Sequence, residues 1–187
     1  SMIYAMPSKF GSVKRAHIIQ DKDSFKRNLN LYIVSENKEG KLIQANNTIK
    51  ENVKVWLNRH RMVNDTIDIL DAKIINIGVD FAVVADFGFN KYDVLRRAAS
   101  ELRIYLDQTY EIGEPLLITN IYKVLNDTEG VADTIDVKIV NKTTSRYSNV
   151  PLDIFKNLSA DGRALFVPDD CILEVKYPFT DVNGAIK

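Results

Sequence analysis

The fold is decided by the stretch KIINIGVDFAVVADF, residues 73–87, which alternates for longer than an average strand. Every odd position from Ile75 to Phe87 is apolar, whereas the even positions include Asn76 and Asp80. A period of two indicates a β-strand with one dry face and one face turned to water or to a partner. The stretch therefore predicts a long scaffold strand.

The residues up to Val140 predict a helix, a turn, a short helix and a further strand. Asn90 can cap the first helix, and apolar residues between Val94 and Leu106 recur at helical spacing. Thr119 can cap the short helix, and Ile135 to Ile139 alternate again. The order of elements after the long strand is therefore α-α-β.

The residues before Lys73 predict a smaller unit of order β-β-α-β. Its strands are predicted over 13–19, 29–33 and 67–69, and residues 1–12 are predicted as a tail or an edge segment. The helix is predicted to begin at Thr48, because Thr48 and Glu51 fit a capping box.

Together these patterns predict an α+β fold of two small two-layer units joined by the long alternating strand. The first unit, β-β-α-β, is expected over residues 13–71. The second, β-α-α-β-β, is expected over residues 72–187, with a last strand from Cys171 to Tyr177 and a C-terminal tail. A length of 187 residues suits two small domains.

The composition predicts a globular protein without disulfides. Hydrophobic residues make up 45% of the chain, and Cys171 is its single cysteine, which fits a reducing compartment. No apolar run approaches the roughly 20 residues of a membrane-spanning helix, and no signal peptide is recognisable. Ser1 before Met2 is typical of an expression scar, so we expect a fragment of a longer protein.

The net charge of zero hides an uneven distribution along the chain. Up to Arg61 there are 12 Lys and Arg against 5 Asp and Glu, and from Met62 onward there are 13 against 20. Two interpretations explain this distribution about equally well. One is chance clustering of charges on a solvated surface, and the other is docking of one copy, or one half, against another. A nucleic-acid surface in the first third is the third interpretation.

Residues that could bind a metal are too few or wrongly spaced. The two histidines, His17 and His60, are far apart in the sequence, and one cysteine cannot complete a tetrahedral zinc site. His60 near a helix C-terminus favours a structural role. Two carboxylate clusters do not match a calcium loop: Asp169 with Asp170, and Asp65 with Asp68 and Asp71.

Catalytic motifs are absent from the sequence as well. Cys171 shares an alternating stripe with Leu173 and Val175, which favours a small buried apolar role. Neither a Gly-x-Ser-x-Gly elbow nor a phosphate-binding loop occurs. The kinase tripeptide at residues 86–88 (DFG) lacks the accompanying kinase motifs. We therefore expect no enzyme activity and no cofactor.

The block IGEPLLITNIYKVLNDTEGVADTIDVKIV, residues 112–140, resembles the baseplate J-like family of contractile phage tails. The resemblance begins with the long strand and the L-x-x-Y-L pattern at residues 102–106 and follows the family's order up to Val140. The ending ILEVKYPFTDVNGAIK, residues 172–187, resembles the terminal segment of large wedge subunits in myovirus-type phages. Residues 141–168 depart from the minimal family pattern, because this segment is longer.

The resemblance implies a structural protein of the tail baseplate, in the form of a C-terminal fragment of a large wedge subunit. Such proteins associate with themselves, as a homodimer or ring, and with other baseplate wedge proteins around a central hub. No catalytic residues can be carried over, and no nucleic acid, membrane or small-molecule substrate is expected as a partner. The implied location is the virion, after assembly in the host cytoplasm.

Aromatic residues near the ends of elements are the candidate contact residues, because interfaces favour aromatic side chains. They are Phe87, Phe89, Tyr92 and Tyr110. The competing interpretation is that these side chains close the core.

The alternative function is a small α+β nucleic-acid-binding module that uses the basic first third. Tyr32 on a predicted strand and the surplus of cations favour it. The aromatic-glycine signature of RNA-binding sheets is absent from these strands.

Overall fold

The computed structural model describes residues 3–21, 28–59 and 66–187, and it confirms the α+β fold class. His60 and Asp65 lie outside these residues, as does most of the predicted loop over 21–28.

The chain forms two compact units, and their boundaries differ from the predicted ranges of 13–71 and 72–187. The first unit contains Ser1–Ile74, Glu111–Gly113 and Pro168–Ile172, and the second contains Ile75–Tyr110, Glu114–Val167 and Leu173–Lys187. The two short later segments, Glu111–Gly113 and Pro168–Ile172, join the first unit through backbone hydrogen bonds. Lys73 N–H donates to Asp170 O over 2.9 Å, and Gly113 N–H donates to Cys171 O over 2.7 Å. The spacing of residues in the sequence does not indicate that these later segments belong to the first unit.

In its described residues, the first unit is a four-stranded sheet with one long helix. The elements are β1 (Arg15–Gln20), β2 (Asn28–Glu36), β3 (Leu42–Ile43), α1 (Asn47–Asn58) and β4 (Thr66–Asp71), after a 3₁₀ turn at Ser8–Phe10. In the sheet, β2 lies between the antiparallel strand β1 and the parallel strand β4. The two-residue strand β3 also pairs with β2.

The core of the first unit lies between α1 and one face of this sheet. Val53 of α1 packs with Leu31 and Ile33 of β2, and all three are fully buried. Ile3 and Met6 are also buried in this cluster. Of the two predictions for residues 1–12, a tail or an edge segment, the tail is wrong, because these two side chains complete the apolar layer.

The start of α1 also differs from the prediction. Asn46 is the N-cap, and its Oδ1 accepts a hydrogen bond from Ile49 N–H over 2.8 Å. Thr48 lies inside the first turn. Asparagine caps helices about as well as serine or threonine, so both Asn46 and Thr48 were possible caps in the sequence. The capping-box pattern selected Thr48, two residues after the cap that forms.

The second unit is built on β5 (Lys73–Ala85), which begins with the last two residues of the first unit. A parallel strand and an antiparallel strand flank it. The remaining elements are α2 (Lys91–Leu106), β6 (Leu116–Leu117), α3 (Ile118–Asn126), β7 (Val131–Asn141), α4 (Ile154–Asn157), β8 (Ala164–Leu165), β9 (Cys171–Glu174), α5 (Pro178–Asp181) and β10 (Val182–Ile186).

The sheet order in this unit is β10-β5-β7, and β9 also pairs with β5. β6 and β8 form a separate two-stranded sheet. The predicted last strand to Tyr177 ends at Glu174, and β10 was not predicted. Pro178 begins the short helix α5, which interrupts the apolar pattern between these two strands.

Helices α2 and α3 cover one face of this sheet, with α2 against β10 and α3 against β7. Ile77, Val79 and Phe81 of β5 are buried beneath them, as the alternation predicts. The other face was expected to meet water or a partner, but Asn76 and Gly78 are buried there too. The segment after β7 folds over this half of β5, since Lys142 N–H donates to Asn76 O over 2.8 Å.

Candidate interface surface

The turn between β5 and α2, residues 86–90, presents an aromatic side chain on a fixed backbone. Asp86 N–H donates to Gly130 O over 2.8 Å, and Asp86 Oδ1 accepts from Phe87 N–H over 2.7 Å. Gly88 has a φ of 91°, which other residues rarely adopt. These constraints fix the direction in which the Phe87 side chain leaves the turn.

The start of α2 extends this fixed geometry. Asn90 is the N-cap, and its Oδ1 accepts from Tyr92 N–H over 2.9 Å and from Asp93 N–H over 3.4 Å. This confirms the predicted cap and the acidic residue in the first helical turn. Tyr92 is therefore held next to the turn by the helix backbone.

Two of the four predicted contact residues project into solvent here. Phe87 is fully exposed, and Tyr92 is 82% exposed. Single exposed apolar residues are common on protein surfaces. Two large aromatic side chains within six positions, on a hydrogen-bonded turn, form a more specific feature. We call Phe87 and Tyr92 together the aromatic turn surface.

The Phe89 side chain packs against the backbone that holds the turn. It is partly exposed, and the Arg97 guanidinium lies 6.0 Å from the centre of its ring. A Cβ atom on Gly130 would lie 2.9 Å from Phe89 Cδ1, so the ring packs directly on the glycine backbone. The Phe89 side chain thus stabilises the turn as well as contributing to its surface.

Tyr110 does not belong to this surface. Its side chain is 3% exposed, so it closes the core as the competing interpretation holds. Burial raises the pKa of Tyr110 to about 12, although the nearby Gln108 side chain works against the shift. Its aromatic character and its position near a helix end did not distinguish it from Phe87 in the sequence.

Among the residues that the structure describes, three further exposed phenylalanines were not predicted as contact residues. Phe155, Phe166 and Phe179 lie on or next to short elements of the second unit, and Phe155 is 88% exposed. The Arg103 guanidinium lies 5.2 Å from the centre of the Phe179 ring. The sequence around each lacks a clear period, so their exposure carried no signal.

The basic first third offers less free charge than its composition indicates. Lys14 Nζ lies 2.7 Å from Glu36 Oε2, and Arg15 Nε lies 2.7 Å from Glu111 Oε1. Lys50 Nζ similarly lies 2.5 Å from Asp71 Oδ2. Because these cations already face carboxylates, they contribute less to binding a phosphate backbone.

The sheet face that carries Tyr32 bears few aromatic side chains. Tyr32 is half-buried, and its neighbours across the sheet are His17 and Leu70, both of which are exposed. A base-stacking surface generally places two or three aromatic residues side by side. This face has one tyrosine and one histidine in register.

Cys171 has the environment of a structural thiol. It is buried, and its Sγ donates to Asp170 Oδ1 over 3.4 Å. Burial raises the pKa of the Cys171 thiol to about 12, and the Asp170 carboxylate raises it further. The thiol therefore stays protonated at neutral pH, whereas a nucleophilic cysteine needs the thiolate.

Two of the carboxylates singled out in the sequence, Asp170 and Asp71, form ion pairs. Asp170 Oδ2 lies 2.8 Å from Lys73 Nζ, and Asp71 pairs with Lys50. In the described ranges, no three His, Cys, Asp or Glu side chains are placed to hold a metal ion together.

Of the helices within the described parts of the chain, none is both long and apolar enough to cross a membrane. No protein-family model matches the chain, and no curated protein matches it.

Proposed function

We propose that the chain is a structural component of a phage tail baseplate wedge that associates with itself and with other wedge subunits. The observation that carries this proposal is the fully exposed Phe87 side chain on a hydrogen-bonded turn. The proposal also rests on the resemblance of residues 112–140 to the baseplate J-like family.

The turn at residues 86–90 is hydrogen-bonded to residues 112–140, the block that resembles the baseplate J-like family. Asp86 N–H donates to the carbonyl oxygen of Gly130, which belongs to that block. Phe89 packs on the same glycine. The feature that suggests an interface and the residues that carry the resemblance therefore form one local structure.

The aromatic turn surface would bury a large apolar area if it docked on a partner. An aromatic side chain buries about 150–250 Å² at an interface, which corresponds to roughly 4–6 kcal/mol of apolar burial before the costs of association. The backbone around Phe87 is already fixed, so less conformational entropy is lost when it docks. Phe87 and Tyr92 are thus suited to be the central contacts of an interface.

The experiment that tests this proposal is light scattering across a concentration series of the whole chain. We expect a mass above that of the 21.2 kDa monomer at high concentration. Phe87→Ala and Tyr92→Ala should each shift the association to higher concentration. Phe155→Ala is the matched control, because Phe155 is similarly exposed at a different place in the same unit.

Two outcomes would count against the proposal. A monomeric mass at every concentration would remove self-association. Equal effects of Phe87→Ala and Phe155→Ala would mean that the aromatic turn surface has no special role in it.

A further inference from the structure

We propose that Asn183, on the exposed side of β10, is a site of spontaneous deamidation that takes water as its co-reactant. Asn183 and Gly184 form an Asn-Gly pair in this strand, and both are exposed. This inference is independent of the proposed function.

The amide nitrogen that would react points away from the sheet. Lys187 N–H donates to Val83 O over 3.0 Å, and in the parallel register Ile186 pairs with Val83. Alternate residues of a strand bond to the same neighbour, so residues 183, 185 and 187 face β5. The backbone carbonyl of Val182 points away from β5, because its oxygen accepts from Arg103 Nη2 over 3.3 Å. The N–H of Gly184 has the same parity and therefore also points away from β5, in a residue that is exposed.

The chemistry needs no group beyond the chain and water. The Gly184 amide, after losing its proton to solvent base, attacks Cγ of Asn183 and forms a cyclic imide. The Asn183 side-chain nitrogen takes a proton from water and leaves as ammonia when the tetrahedral intermediate collapses. Water then opens the ring at one of its two carbonyl carbons, which gives aspartate or isoaspartate. Glycine at the attacking position favours closure of the ring because it has no Cβ atom.

The folded strand restrains this reaction. Asn183 Nδ2 donates to Asp80 Oδ1 over 3.1 Å, which holds the side chain across the strand pair. The extended backbone also keeps the Gly184 nitrogen away from Cγ. β10 is a five-residue strand at the edge of its sheet, and such elements open locally at low free-energy cost. Reaction is expected through this local opening.

Deamidation would change the contacts of β10. Aspartate at position 183 would place a carboxylate opposite Asp80, its partner in the register, and like charges opposite each other destabilise strand pairing. Isoaspartate would add a backbone atom and shift the hydrogen bond from Lys187 to Val83 out of register.

The test is peptide mapping by mass spectrometry after the folded chain is incubated at mildly alkaline pH. We expect the peptide that contains Asn183 to gain the mass difference between asparagine and aspartate, as two products that separate by chromatography. The rate should rise with pH, because the Gly184 amide must lose its proton. Asp80→Ala should increase the rate by releasing the side chain, and Asn183→Gln should abolish it.

Two controls make the result decisive. The synthetic peptide VNGAIK sets the rate without the fold, and exposed Asn120, which precedes a β-branched isoleucine, should react far more slowly in the same sample. The proposal is overturned if the peptide reacts while Asn183 in the folded chain stays unchanged. It is also overturned if Asn183 reacts no faster than Asn120.

Discussion

The side-chain amide of Asn76 donates to Glu174 Oε2 over 2.8 Å, between two buried residues that lie on β5 and β9. The amide oxygen of Asn76 accepts from Ser148 N–H over 2.7 Å, so one side chain connects three segments of the second unit. Buried polar groups in such a network are costly to leave without a partner. This arrangement explains why the first half of β5 is covered on both faces.

Asn76→Ala should destabilise the second unit by about 3 kcal/mol, because it removes a donor to the buried Glu174 carboxylate and an acceptor for the half-buried Ser148 N–H group. The measurement is chemical denaturation, compared through the transition midpoint at constant slope. Asn183→Ala is the control, since Asn183 also bonds a carboxylate but is exposed, and its cost should be about 0.5 kcal/mol. Equal costs would contradict the role given to Asn76.

Gly78→Ala should destabilise the chain by about 1–3 kcal/mol through overpacking. A Cβ atom at this position would lie 2.9 Å from the Asp181 backbone oxygen and 2.6 Å from Lys142 Cε. Gly40→Ala is the comparison, because nothing lies within 4 Å of its Cβ position and the cost there comes from a φ of 75° alone. Thermal denaturation of both variants checks this, and an unchanged melting temperature for Gly78→Ala would contradict the close approach.

The stability of the chain should fall as the pH rises from 10 to 12, since burial raises the pKa of Tyr110 and of Tyr147 to about 12. In this window the unfolded chain loses phenol protons that the folded chain keeps, so the unfolded state binds fewer protons and gains stability. Below pH 10 the contribution is fully present. Tyr147 also donates to Asp181 Oδ1 over 2.5 Å, which holds its proton.

Spectrophotometric titration of phenolate absorbance measures this directly. Tyr110→Phe and Tyr147→Phe should each remove one late-titrating group and flatten the loss of stability above pH 10. A titration in which every tyrosine ionises together near pH 10 would contradict the burial of these two phenols.

Binding of single- or double-stranded nucleic acid should be weak even at low salt, because Lys14, Arg15 and Lys50 already face carboxylates. Fluorescence anisotropy with labelled oligonucleotides measures it. A strong affinity that falls steeply with salt would favour the alternative function, since each phosphate contact contributes a slope of about −0.9 for duplex DNA.

Periodicity predicted the elements with long, one-sided patterns. The odd positions of β5, the stripe of α2 and the Asn90 cap follow from local rules that tertiary contacts do not override. The fold class follows from the order of these elements.

The remaining features depend on contacts between residues distant in the sequence. Asn76 is bonded by Ser148 of a loop about 70 residues later, and Gly78 lies against Lys142 and Asp181. Ile3 packs in the cluster that contains Val53 of a helix about 50 residues away. The exposure of one residue on a very short element, such as Phe155 on α4, also leaves no periodic pattern in the sequence. For the same reason Tyr110 and Phe87 looked alike in the sequence, although one is buried and the other is fully exposed.

The central claim is that copies of this chain meet through the aromatic turn surface, and site-specific photocrosslinking tests it most directly. A photoreactive phenylalanine analogue in place of Phe87 should give a covalent adduct between two copies, and the same analogue at Phe155 should give little. Adducts mapped by mass spectrometry would identify the contacted segment. At a concentration where the mass shows association, selective adduct formation at the Phe87 position is the predicted result. If the Phe87 position yields no more intermolecular adduct than the Phe155 position at that concentration, contact through the aromatic turn surface is contradicted.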